Sequence, residues 1–148
     1  MVKIHFEFTD LPPVRRYLLR ADYEYSTWQT HVDALDTIEK KILRDRGLME
    51  KFTPKELEDL KRLKERLENG EQLLLTYTYE ETPDGKVHVV LILNPELWNF
   101  WEIIKDKLPF FYRKPVEFLM NPEMLLKKME KTAREMYGKR FRAWIEED

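Results

Sequence analysis

QLLLTYTYE (residues 72–80) and KVHVVLIL (residues 86–93), joined across EETPDG, decide the fold. Both stretches are rich in β-branched and aromatic residues, and a Pro-Asp-Gly turn separates them, so the segment reads as a β-hairpin. Each strand carries apolar residues on both faces: Leu73, Leu75, Tyr77 and Tyr79 against Leu74, and Val87, Val89, Leu91 and Leu93 against Val90 and Ile92. That pattern predicts a hairpin that is central in the sheet or covered on both sides. Asp84-Gly85-Lys86 sits at the turn, where Asp-Gly is turn chemistry rather than a nuclease signature.

Working outward, residues 2–9 alternate with period two. Val2, Ile4, Phe6 and Phe8 fall on one face, and Lys3, His5, Glu7 and Thr9 on the other. The segment reads as a half-buried strand beside the hairpin, with Phe6 inward and His5 outward. Pro12 and Pro13 open a short helix carrying Val14, Tyr17, Leu18 and Ala21. Ser26 and Gln29 fit a capping box for a second helix with Trp28, Val32, Leu35, Ile38 and Ile42, which Gly47 ends. Thr53-Pro54-Lys55-Glu56 starts a third, with Leu57, Leu60, Leu63 and Leu67 in one stripe and Asn69-Gly70 at its end. Asn94-Pro95 opens a helix that Pro109 stops, and Asn121-Pro122 opens the last, which bends at Gly138 and continues through Phe141, Trp144 and Ile145. The expectation is a single α+β domain over residues 1–148, with a small antiparallel sheet packed against about five helices.

Composition bounds the rest. The chain has 148 residues, 43% of them hydrophobic, which excludes intrinsic disorder and suits one core. No apolar run reaches the length of a membrane span, and the N-terminus lacks the pattern of a signal peptide, so the expected location is the cytoplasm. The absence of cysteine excludes disulfides, thiolate metal sites and a cysteine nucleophile. Charged residues reach 36%, Gln occurs only at 29 and 72, and Ser only at 26, a pattern typical of hyperthermophile proteins. The four glycines are scattered, which argues against a phosphate-binding loop, and no cofactor is expected. Ser26 is the only serine and reads as a helix cap rather than a nucleophile.

Charge is uneven. Residues 22–84 carry sixteen acidic against ten basic side chains, whereas residues 105–142 carry eleven basic against five acidic. The basic half is also aromatic: WNFWEIIKDKLPFFYRKPVEF spans residues 98–118. Aromatics interleaved with cations suit stacking on unpaired bases with phosphate contacts. The candidate binding residues are Lys127, Lys131 and Arg134 as a phosphate stripe on the last helix, Arg113 and Lys114 nearby, and Trp98, Phe111 and Tyr112 for stacking. The expected function is an accessory or interaction protein binding a protein or nucleic-acid partner through this half. The competing class is a metal-dependent nuclease using His5, Glu7 and His88, a two-histidine, one-carboxylate set on neighbouring strands. Trp28, Leu35 and Ile42, seven apart, point to a homodimer.

Two resemblances follow from these residues. Lys105-Asp106-Lys107-Leu108-Pro109-Phe110-Phe111-Tyr112 is similar to the Q-x-x-L-x-x-F-F peptide by which replication and repair proteins dock on the sliding clamp. Leu108, Phe111 and Tyr112 take its apolar anchor positions and Lys105 replaces the glutamine. The order of strand, helix pair and long hairpin resembles the start of ribosome-dependent ribonuclease toxins. Those are strongly basic and end in further strands, whereas this chain is near neutral and is expected to end in helices.

Overall fold

The computed structural model describes residues 2–109, 122–137 and 140–147. In chain order the elements are β1 (Val2–Thr9), α1 (Pro13–Asp36), a π-helical turn (Thr37–Ile42), α2 (Arg46–Met49), α3 (Pro54–Glu68), β2 (Leu75–Glu81), β3 (Lys86–Leu93), α4 (Pro95–Ile104), α5 (Pro122–Tyr137) and β4 (Phe141–Glu147). The strands form one antiparallel sheet in the order β2-β3-β1-β4. The protein is therefore α+β. β1 and β2 are separated by β3, and β3 and β4 by β1, so two β-α-β units interleave in the ferredoxin-like connectivity. Among the described residues no helix is long and apolar enough to cross a membrane.

Register follows from alternation. Val2 pairs with Leu93 and Phe8 with Val87 across β1 and β3, while Phe8 pairs with Phe141 and His5 with Trp144 across β1 and β4. Ile4, Phe6, Phe8, Val87, Val89, Leu91 and Leu93 consequently share one face and are buried. They pack with Leu19 and Tyr23 of α1, Leu60 and Leu67 of α3, Phe100 and Ile104 of α4, and Leu125 and Ala133 of α5 in one cluster. The hairpin turns over three residues. Gly85 N–H donates to the Thr82 carbonyl (3.1 Å) and Thr82 N–H to the Lys86 carbonyl (2.8 Å), with Gly85 at φ +83°. Only glycine takes that left-handed position without strain, and Pro83 is preset for the turn before it.

Four expectations change. The hairpin is only half central: β3 lies between β2 and β1 as expected, but β2 is an edge strand, and Thr76, Val90 and Ile92 on the outer face are only half-buried rather than covered. Helices expected to break near residue 26 are one continuous α1. Ser26 caps nothing; its hydroxyl donates back to the Asp22 carbonyl (2.9 Å), as serines inside helices do when no Gly or Pro interrupts them. Gly47 lies within α2, capped by Asp45, whose carboxylate accepts from Leu48 N–H (3.1 Å); the long helix has already ended in the π-turn, where Leu43 N–H reaches the Ile38 carbonyl (3.0 Å). Finally, the chain ends in a strand, not a helix. Phe141, Ala143 and Ile145 alternate with Arg142, Trp144 and Glu146, and this period fills the free edge of β1.

Candidate functional site

β1, β3 and β4 bring an unusual set of side chains together on the sheet face turned away from the core. Register places Lys3, His5 and Glu7 of β1 between Ile92, Val90 and His88 of β3 and Glu146, Trp144 and Arg142 of β4. His5 Nδ1 and His88 Nε2 are 3.0 Å apart. The two ring planes differ by 17° with centroids 5.2 Å apart, so the imidazoles meet edge to edge. The Trp144 indole is parallel to His5 within 1° at 4.8 Å, and lies 5.9 Å from His88. Trp144 thus shelters the imidazole pair, and His5 is 9% exposed although it stands on the outer face.

Charge around the rings is paired. Glu7 stands between Arg142 (3.3 Å) and Lys86 (3.7 Å). Glu146 lies 3.7 Å from Lys3 and 3.5 Å from His5 Nε2, an ion-pair distance without hydrogen-bond geometry. The Arg142 guanidinium sits 4.9 Å from the Trp144 ring centre, within cation–π range. Just before β4, Thr9 N–H donates to the Arg140 carbonyl (3.0 Å), and the Arg140 guanidinium pairs with Asp10. Chemically the arrangement comprises a stacked indole and imidazole, cations paired with Glu7 and Glu146, and two imidazoles in hydrogen-bond contact.

The sequence-predicted residues are distributed differently. His5 and His88 meet, but Glu7 faces the two cations instead of completing a ligand set. Among the described residues no group of three or more His, Asp or Glu side chains stands close enough to hold a metal ion. Lys127 and Lys131 are exposed on α5, and Arg134 pairs with Glu130 (3.8 Å) while lying 5.8 Å from the Phe141 ring centre. Trp98 of α4 is half-buried against the core. Phe111, Tyr112, Arg113 and Lys114, and with them the end of the clamp-like peptide, lie outside the described residues. Sequence reasoning missed Trp144 and Glu146, because residues 141–147 were read at helical period; their two-residue alternation was the available signal.

A cleft of about 420 Å³ opens between α1 and α5 over Phe8, Leu75 and Leu91. Burial pushes the Tyr23 phenol far above its ordinary value, and Tyr137 donates to Asp22. Several polar groups on its walls are satisfied within their own helices: Gln29 on Asp33 (2.7 Å), Thr30 on the Ser26 carbonyl (2.9 Å) and Thr132 on the Lys128 carbonyl (3.1 Å). No family model, curated protein or solved structure matches this chain.

Proposed function

We propose that the protein binds an unpaired nucleic-acid strand through its basic aromatic C-terminal half, with the outer face of the sheet as the platform. One observation carries this reading: Trp144 stacks parallel on His5 on the outer face, with the Arg142 guanidinium over its ring and Lys86 paired with the neighbouring Glu7. Aromatic rings on a sheet stack bases without regard to sequence, and neighbouring Arg and Lys contact phosphates. The cations are held by Glu7, and the formal net charge of the chain is −2. Phosphates must therefore compete with Glu7, which keeps the affinity modest and salt-dependent.

Fluorescence anisotropy with labelled single-stranded RNA and DNA at low salt tests the reading. Trp144→Ala should weaken binding by about 1–3 kcal/mol, the worth of one base–aromatic stack. No binding by the wild type, or unchanged binding by the variant, refutes it. A nuclease reading is favoured by the hydrogen-bonded His5–His88 pair. Incubating RNA with the protein, with and without divalent ions, checks it: cleavage abolished by His88→Ala supports an enzyme, and intact RNA leaves a binding protein.

A further inference from the structure

We propose that α1 is a self-association surface on which two copies of the chain pack antiparallel. Five of the seven large hydrophobic side chains exposed among the described residues belong to this one helix: Val14, Tyr17, Leu18, Tyr25 and Trp28. Tyr17 is 74% exposed and Trp28 57%, whereas Leu19, Tyr23, Thr30 and Ala34 bury the opposite face. Positions 14, 17, 18, 21, 25 and 28 fall on one stripe of a helix, the seam spacing of a helix pair, with the small Ala21 at its centre. The stripe presents on the order of several hundred Å² of apolar surface, the scale at which a patch marks an interaction site.

Charge identifies the occupant and its direction. Between Pro13 and Ala21 the helix carries Arg15, Arg16 and Arg20 and no acid; between Asp22 and Asp36 it carries Asp22, Glu24, Asp33 and Asp36 and no Lys or Arg. That order opposes what the helix dipole favours, since cations are stabilising near a C-terminus and anions near an N-terminus. A second copy running antiparallel about Ala21 overlaps residues 13–29, so the arginine-bearing segment of each helix lies along Asp22 and Glu24 of the other and the two dipoles oppose, while Asp33 and Asp36 fall beyond the overlap. A parallel copy would stack like charges along the whole length. In the antiparallel pair Val14 of one copy faces Trp28 of the other, Tyr17 faces Tyr25, and Ala21 meets itself on the two-fold axis. Arg20 and Glu24 are one turn apart on the same flank, so each Arg20 comes beside the other copy's Glu24, twice by symmetry. A single helix stripe is a small interface, so the dimer is sought across the micromolar range. This surface is independent of the sheet face, and the nucleic-acid reading can fail without it.

The chain's lack of cysteine makes the arrangement directly testable. Sedimentation equilibrium across the micromolar range should show a concentration-dependent dimer, and Tyr17→Glu with Trp28→Glu should reduce it to a monomer with unchanged circular dichroism. For direction, single cysteines are treated with a short bis-maleimide. Ala21→Cys should cross-link to itself, Val14→Cys alone should not, and a mixture of Val14→Cys with Trp28→Cys should yield linked dimers. A monomer at every concentration, a dimer that survives the double glutamate variant, or Val14→Cys linking to itself as readily as Ala21→Cys would overturn the proposal.

Discussion

The Tyr79 side chain lies on the core-facing side of an edge strand, its hydroxyl donating to Glu81 (2.9 Å). Burial, and then that hydrogen bond, push its pKa up to about 12 from an ordinary value near 10, and burial pushes Tyr23 and Tyr137 higher still. A tyrosine whose folded pKa is raised contributes its stability in full below the unfolded value. As pH climbs past that value the unfolded chain sheds protons that the folded chain retains, and stability falls until the folded group titrates. Melting temperature should therefore drop between about pH 10 and about pH 12. Tyr79→Phe should make that drop shallower, and absorbance near the tyrosinate band should show delayed ionisation in the native protein. In the same core Phe6 is fully buried, so Phe6→Ala should cost roughly 3–5 kcal/mol in urea unfolding. Its inward orientation was legible from alternation alone. The shelter over its neighbour His5 was not, because it depends on Trp144, well over a hundred residues away in the chain.

Whole elements were legible where local chemistry specifies them. Thr53 is the clearest case: its hydroxyl accepts from Glu56 N–H (3.1 Å) and the Glu56 carboxylate accepts from Thr53 N–H (2.8 Å), a reciprocal box at the start of α3. At the other end Gly70, at φ +86°, donates to the Leu67 carbonyl while Glu71 N–H reaches the Arg66 carbonyl, closing the helix. Thr53→Ala should cost about 1 kcal/mol by thermal or chemical unfolding, with the helix retained. Lys107 also pairs with Glu56, and together with the cap it holds the Glu56 carboxyl below its ordinary range. The stability from that carboxylate is thus present above the unfolded pKa and lost as acid protonates it. α1 and β4 were harder. Ser26 looks like a cap in isolation, but its preference is overridden by the continuous burial of Leu19, Tyr23, Thr30 and Ala34 along one face. β4 is chosen by the unpaired edge of β1, a partner that no local window contains.

At the scale of the molecule, the two basic features of the C-terminal half separate. α5 packs Leu125 and Ala133 into the core beneath the inner face, whereas Arg142 and Trp144 project from the outer face. Lys127, Lys131 and Arg134 therefore belong to a different surface from the ring cluster, although they lie within twenty residues of it in sequence. Of the three, Arg134 approaches β4, and it does so at Phe141, on the core-facing side. A strand stacked on Trp144 meets Arg142 and Lys86 first. Replacing those two with Ala should lower the slope of log affinity against log salt by about 0.7 for each phosphate left without its cation. It should weaken binding with little effect on the fold, since both side chains are surface ion-pair partners of Glu7. The Lys127, Lys131 and Arg134 triple Ala variant should leave the slope nearly unchanged. The reverse pattern, a flattened slope in the α5 variant and a normal one in the sheet variant, would move the nucleic acid to the helix stripe. The parallel rings of Trp144 and His5 would then be packing within the sheet face.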